Sequence, residues 1–439
     1  MLGNQPFTGT WHIPGQTVLC TRASAVELSD IVRGESYATH GYPHEAWAHL
    51  RREAPVHRFE LDGFDPFWAI TRYRDLERVS RQPRLFLNAP RLILSSRRFP
   101  TRRPEEVARS LLNMDPPEHG RYRGLVNRRF TPHALSFLRP HIEELSARII
   151  EDVARRVVDE AAESGECDFV ADVAARLPLA VILELLGVPR DDWPLVFDWT
   201  NQSIAPGEPE YRRGASIIET AERARLALFD YFGRYVAERR QSPRDDLVSV
   251  LARSEIDGQP VSDFEILSYC FLLAVAGNET TRNATSGGLL ALIENPGEQE
   301  RLRRDPALLP TAVEEVLRWT SPLIHFCRTA AEDTELGGRI IPKGELLVLF
   351  YPSANRDDEV FREPFRFDVA REPNEHLAFG VGEHFCLGAN LARAELAAIL
   401  AEVLRRLDAI ELAGPVERVR STFVGGIKRM PIRFRVRAG

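Results

Sequence analysis

A single cysteine, Cys386, stands between glycine-bearing flanks in FGVGEHFCLGANLARAE, Phe379 to Glu395, where a loop gives way to a strongly helix-forming run. This junction constrains the chain more than any other stretch. A side chain at a helix N-terminus faces unpaired backbone N–H groups and the positive end of the helix dipole. That setting favours a thiolate over a thiol. Gly380 and Gly382 allow tight turns that aim N–H groups at the sulfur, and Gly388 lets the helix backbone approach a flat ligand closely. Phe379 is placed to keep water from the sulfur. Together these features suit a sulfur that holds a metal through one protected face. A buried free cysteine beside a glycine turn would fit this stretch equally well on its own.

The 439 residues make one large domain or two, with ample apolar material for a core. Lys plus Arg number 57 against 64 Asp plus Glu, and the net charge of −7 argues against nucleic acid as a partner. The cysteines, at 20, 167, 270, 327 and 386, show neither zinc-ligand nor CxxC spacing. A scattered, odd set suits a reducing cytoplasm. The stretch MLGNQPFTGTWHIPGQTVLC has no apolar run of signal-peptide or anchor length. The expectation is a soluble, cytoplasmic protein without a membrane anchor.

PVHRFE and PFWAIT alternate like two paired strands, with Gly63 in the turn between them. From about residue 116 to 320 the pattern is mainly helical. Leu145, Ile149 and Val153 recur at four-residue steps, as one face of a helix would, and LPLAVILELLGVP reads as a helix buried all round. Residues 200–214 read as a loop, short strands return near 337–352, and a last strand pair is expected around FVGGIKRMPIRFRV.

FGVGEHFCLG resembles the heme-ligand loop of the cytochrome P450 family, F-G-x-G-x-H/R-x-C-x-G, at every defined position. The likeness extends from about residue 40 to the end. It implies a mainly α fold with small β-sheets: a triangular helical prism with a β region from both ends of the chain. Residues 1–30 would be an extension and 31–439 one domain. The implied cofactor is heme b, iron protoporphyrin IX, with Cys386 as the metal ligand and Phe379, His384 and Gly388 around it. A thiolate ligand pushes electron density onto iron and favours O–O cleavage.

In AGNETT, 276–281, Ala276 and Gly277 weaken a long helix, and Thr280 and Thr281 add hydroxyls able to bond to carbonyls a turn back. Such a spot often kinks or widens a helix. The groove would take dioxygen and a water, with Ala276 and Gly277 against the cofactor. Thr280 suits a proton relay and Glu279 a proton supply from solvent. AGNETT resembles the family's A/G-G-x-D/E-T-T, with Glu in place of the commoner Asp. Without the cysteine loop, Thr280 reads equally as a cap and Glu279 as a solvated carboxylate.

Glu315 and Arg318 match the family's E-x-x-R and share one helix face. Their arginine partner is either Arg366 or Arg371, and the cluster is structural. His119 and Arg123 match H-x-x-x-R. With Arg328 and His384 they correspond to the family's contacts to the heme propionates, a task that guanidinium forks suit. Arg121, Arg128, Arg129 and Arg393 could form a basic face for an acidic ferredoxin.

The family's pocket walls correspond to apolar segments carrying Leu92 and Leu94, Val196, Leu273, Ile324, and Phe423 and Val424; each is equally compatible with plain core. His325 is the polar exception, placed to orient a ligand oxygen. The resemblance is strongest to bacterial members acting on sterols, terpenoids or branched lipids. It implies a monooxygenase that inserts one atom of O2 into a small apolar substrate. Electrons would come from NAD(P)H through ferredoxin reductase and ferredoxin. A secondary-metabolite hydroxylase or epoxidase, a partner-independent peroxygenase or isomerase, and a non-catalytic carrier are the alternatives.

Overall fold

The structure, a computed structural model, describes residues 26–97, 110–159 and 164–437. Cys20 and most of the expected extension lie outside the described residues. The boundary drawn at residue 30 falls inside a 3-10 turn, Leu28–Val32, whose Ile31 and Val32 are buried.

The helices follow in order: α1 (Gly34–His40), α2 (His44–Glu53), α3 (Tyr73–Ser80), α4 (Glu118–Asn127), α5 (Pro132–Val157), α6 (Arg176–Leu185) and α7 (Trp193–Ile204). They continue with α8 (Ile217–Gln241), α9 (Leu247–Ala252), α10 (Asp263–Glu294), α11 (Pro296–Arg304), α12 (Leu309–Thr320), α13 (Tyr351–Ala354) and α14 (Ala389–Arg406). Local chemistry sets several of these ends. Thr131 accepts from Ala134 N ahead of a first-turn Pro132, which opens α5. A reciprocal capping box between Ser262 and Glu265 opens α10. Leu145, Ile149 and Val153 are buried along α5, and α6 is buried over most of its surface, both as predicted.

The main core gathers apolar faces of α5, α6, α8, α10 and α14, so α10 crosses the middle of the molecule. It is helical from Asp263 to Glu294, without the widening expected near Ala276–Gly277. Two contacts account for this. Thr280 Oγ1 donates to Ala276 O at 3.0 Å without displacing the ladder, and a Cβ on Gly277 would lie only 3.0 Å from Ile182 of α6. The glycine is there because another helix presses on it. Residues Thr200–Ile204, read as loop, complete α7; Thr200, Asn201 and Gln202 are buried, and Asn201 Oδ1 accepts from Arg282 at 3.3 Å. A tertiary partner thus makes polar residues acceptable inside a helix.

The strands are β1 (Val56–Phe59), β2 (Phe67–Ile70), β3 (Phe86–Leu87), β4 (Val158–Asp159), β5 (Ser164–Asp168), β6 (Glu255–Ile256), β7 (Gln259–Pro260) and β8 (His325–Ala330). After them come β9 (Thr334–Leu336), β10 (Arg339–Ile341), β11 (Leu346–Phe350), β12 (Leu407–Leu412), β13 (Glu417–Arg418), β14 (Ile427–Arg429) and β15 (Pro431–Val436). β1 and β2 form the predicted hairpin, with Gly63 at φ +83° in its turn. β2 then runs parallel to β11, and the sheet order β1-β2-β11-β8-β3 joins the N-terminal segment to the C-terminal half. The final pair is not a hairpin. β14 pairs with β13, while β15 lies between β12 and β5. Only Met430 separates β14 from β15, which leaves no turn to reverse the chain.

Candidate active site

The cysteine loop is held by its own backbone. Gly380 and Gly382 have φ of +67° and +80°, where other residues are strained. A Cβ on Gly382 would also meet Ser80 O at 2.7 Å, so this turn seats against the end of α3. Gly382–His384 forms a 3-10 turn, Cys386 N donates to Phe379 O at 2.9 Å, and α14 begins at Ala389. The Phe379 ring lies under the Arg393 guanidinium, 4.7 Å from it, and at 6.2 Å from the Phe385 ring. Nothing lies within 4 Å of the point to which a Cβ on Gly388 would project.

The sequence reading favoured thiolate at Cys386. Among the protein's own groups, burial pushes the thiol up, while the Gly388 N–H and the Arg123 and Arg393 guanidiniums oppose it. A metal cation would supply the missing stabilisation, since a coordinating thiol is deprotonated by its metal.

Four bases drawn from distant parts of the chain meet beside this loop. The His119 and His384 rings lie 4.0 Å apart between centroids. His384 is pushed down to about 3 by burial, and by His119, Arg328 and Arg123. Burial also lowers His119, with Glu383 opposing at 3.3 Å from its Nδ1. Burial lowers Arg123 as well, and the Cys386 sulfur opposes that shift. Arg328 is 4 % exposed, and its Nη1 donates to Cys327 O at 2.7 Å. Two arginines and two buried histidines around a thiol and a side-chain-free glycine fit a flat, dianionic, metal-bearing group.

Sequence reasoning missed Asn88, whose Nδ2 lies 2.8 Å from His384 Nε2, and Asp115, which accepts from Asn88 N at 2.7 Å. His384 is 296 residues from Asn88, a distance at which no local pattern could link them.

On α10, Ala276 is exposed and Thr280 partly so, although the helix is otherwise mostly buried. Glu279 is not solvated: it is 3 % exposed and ion-paired to Arg282. Burial raises its carboxyl, with Arg282 opposing.

The charge cluster resolves the choice between two arginines. Arg318 Nε and Nη2 each donate to Glu315 at 2.8 Å, and both residues are 0 % exposed. Arg371 Nε donates to Glu315 Oε2 at 3.1 Å, whereas Arg366 contributes its carbonyl and turns its side chain outward. The cluster reaches the cysteine loop through Asn355. Its carbonyl accepts from Arg318 at 2.9 Å, and its Oδ1 accepts from Leu377 N at 2.7 Å.

Three expected pocket residues belong elsewhere. Val196 and Ile324 are 0 % exposed within the apolar core. His325 has no free ring nitrogen: Nδ1 donates to Thr422 O at 2.8 Å and Nε2 accepts from Leu94 N at 3.0 Å. It joins three chain segments and cannot orient a ligand oxygen. Leu94, Leu273 and Val424 are largely buried, with 6–9 % of their surface accessible, while Leu92 and Phe423 are more open.

The profile described as Cytochrome P450 matches residues 214–418. Cytochrome P450-terp of a Pseudomonas species is 38% identical over 418 residues, covering 92% of this chain and 96% of its own. A steroid C26-monooxygenase of Rhodococcus jostii is 38% identical over 443 residues, covering 99% and 90%. The structure of a Mycobacterium marinum cytochrome P450 in complex with pseudoionone superposes with a TM-score of 0.84 at 34% identity, covering 93% of this chain and 98% of the other. No helix among the described residues is long and apolar enough to cross a membrane. A loop-borne thiol, four convergent bases and likeness over nearly the whole length thus agree, and the chain belongs to the cytochrome P450 family as a monooxygenase.

Proposed function

We propose that this monooxygenase binds heme b through Cys386 and oxidises a sterol, terpenoid or lipid-like molecule in the cytoplasm, with electrons from NAD(P)H through ferredoxin reductase and ferredoxin. One observation carries the reading: His119, Arg123, Arg328 and His384 converge next to Cys386 and Gly388. The two arginines and two histidines would hold the propionates, and Gly388 would leave room for the flat ring. Heme, when bound, supplies dioxygen activation, and its thiolate ligand favours O–O cleavage. Thr280 would hold a proton at Oγ1 and pass it toward the oxygen. Glu279, kept inside by Arg282, would be the next proton station. Leu92, Leu273, Phe423 and Val424 would exclude water and present an apolar wall to the substrate. Overall, a C–H bond, O2, two electrons and two protons give an alcohol and water.

The substrate class follows from the apolar lining and from the names of the relatives. The support for an acidic ferredoxin is the set of arginines near the cysteine loop. Three of the candidate surface arginines are engaged with the protein's own acids: Arg121 with Asp257, Arg129 with Asp245, and Arg393 with Glu314. The two exposed pairs, Arg121–Asp257 and Arg129–Asp245, contribute about 0–1 kcal/mol each, so an acidic ferredoxin can displace them, whereas Arg393 grips a half-buried Glu314 through two bonds and stays with it. The test is a spectral titration of the heme-loaded protein with sterols, terpenes and fatty acids, followed by turnover with ferredoxin and its reductase. A spectral shift and oxygenated product are expected from a sterol, a terpene or a fatty acid. Product from hydrogen peroxide alone, with none through the ferredoxin chain, would overturn the electron route.

A further inference from the structure

Behind the C-terminal half of α10 lies a cavity of about 280 Å³ that the proposed chemistry leaves unused. Its walls include Tyr42, Asn283, Glu294, Arg356 and Arg418, and its exposed rim carries His40 and Phe365. Asn283 is 2 % exposed, yet neither its Nδ2 nor its Oδ1 has a protein partner. One turn earlier on the same helix face is Glu279, whose Oε2 is taken by Arg282 and whose Oε1 is also unpartnered. Buried polar atoms without protein partners are normally satisfied by internal water, and this site is polar and roomy enough for it.

We propose that this cavity is a hydrated inlet that brings solvent protons to Glu279, with Asn283 as the positioning residue that orients water between the cavity and the carboxylate. The fold makes room for this side chain. A Cβ on Gly426 would lie 2.1 Å from Asn283 Cγ, and one on Gly425 would lie 2.3 Å from the Tyr42 hydroxyl. Both glycines follow directly on the pocket residues Phe423 and Val424, so one chain segment borders the substrate wall on one side and the inlet on the other. Arg282, which holds Glu279 Oε2, also donates to Asn201 Oδ1 at 3.3 Å. Within the cavity, burial pushes the Glu294 carboxyl up while Arg418 opposes, which adds a group able to exchange protons with the contained water.

The inference rests on the relay reading of Thr280 and Glu279, and its test separates the two. A high-resolution crystal structure of the holoenzyme should show ordered water bonded to the Asn283 amide and continuing to Glu279. A dry amide overturns the proposal. In turnover, Asn283→Leu should raise severalfold both the share of electrons lost as free hydrogen peroxide and the solvent deuterium isotope effect. Asn283→Asp, which keeps the shape and a polar tip, should restore both, and the substrate dissociation constant should stay at the wild-type value. If Thr280→Ala uncouples and Asn283→Leu does not, the inlet is elsewhere and this inference alone falls. If neither uncouples, the relay falls and the inlet with it.

Discussion

Arg371 Nε sits 3.1 Å from a Glu315 carboxylate that Arg318 already grips through both of its oxygens. The same carboxylate accepts from Asp368 N at 3.0 Å and from Asn374 Nδ2 at 3.2 Å. One buried anion thus ties α12 to the segment that leads into the cysteine loop.

Removing one member of such a cluster strands the others in a low-dielectric interior. Arg371→Ala should therefore destabilise the protein by about 3–5 kcal/mol, with heme content falling as the loop loosens. Arg366→Ala, whose side chain is exposed, should stay within about 0.5 kcal/mol. Chemical denaturation and the heme-to-protein ratio read both variants. Equal effects from the two would refute the choice of Arg371.

Cys386→Ala removes the sulfur while keeping the Gly380 and Gly382 turns. The thiolate-type absorption of the reduced carbon monoxide complex should disappear, although the protein still folds by circular dichroism. An unchanged spectrum would show that residue 386 is not the ligand.

Thr280→Ala leaves α10 helical, since the hydroxyl only adds a bond to Ala276 O. NAD(P)H consumption should persist while product yield per NAD(P)H falls severalfold and hydrogen peroxide accumulates. Product yield equal to wild type would end the relay role.

His325 is held neutral between Leu94 N and Thr422 O, and burial pushes it down to about 4 from an ordinary 6.5. The unfolded chain therefore binds the extra proton first. The resulting stability is fully present above about 6.5 and is lost as pH falls toward 4, by up to about 3 kcal/mol. His325→Leu should cost about 1–3 kcal/mol for each stranded backbone group and flatten this pH dependence. Thermal melts of both proteins between pH 4 and 7 provide the measurement, and an undiminished slope in the variant would remove His325 as its source.

Much of the site was legible because it is written locally. Gly380, Gly382 and Cys386 lie within a few residues of one another, and backbone dihedrals are set over that range. Glu315 and Arg318 share a face because helical spacing requires it. The misreadings have a common source. Gly277 resembled a weak point, but Ile182 of α6 packs there. His325 resembled a ligand contact, yet its nitrogens belong to backbone groups 231 and 97 residues away. Thr200–Ile204 resembled a loop, and contact with Arg282 on α10 stabilises it as helix.

By itself the sequence determined the helical periodicity, the glycine turns and the presence of one cysteine suited to hold a metal. Each depends on residues close along the chain, where bond geometry and hydrophobic spacing leave few choices. The tertiary structure decided which arginine completes the Glu315 cluster, which bases gather at the cysteine, and which buried amide borders the cavity behind α10. Those outcomes depend on side chains hundreds of residues apart competing for the same buried charge or space. That competition is settled only when the sheets and helices close on one another.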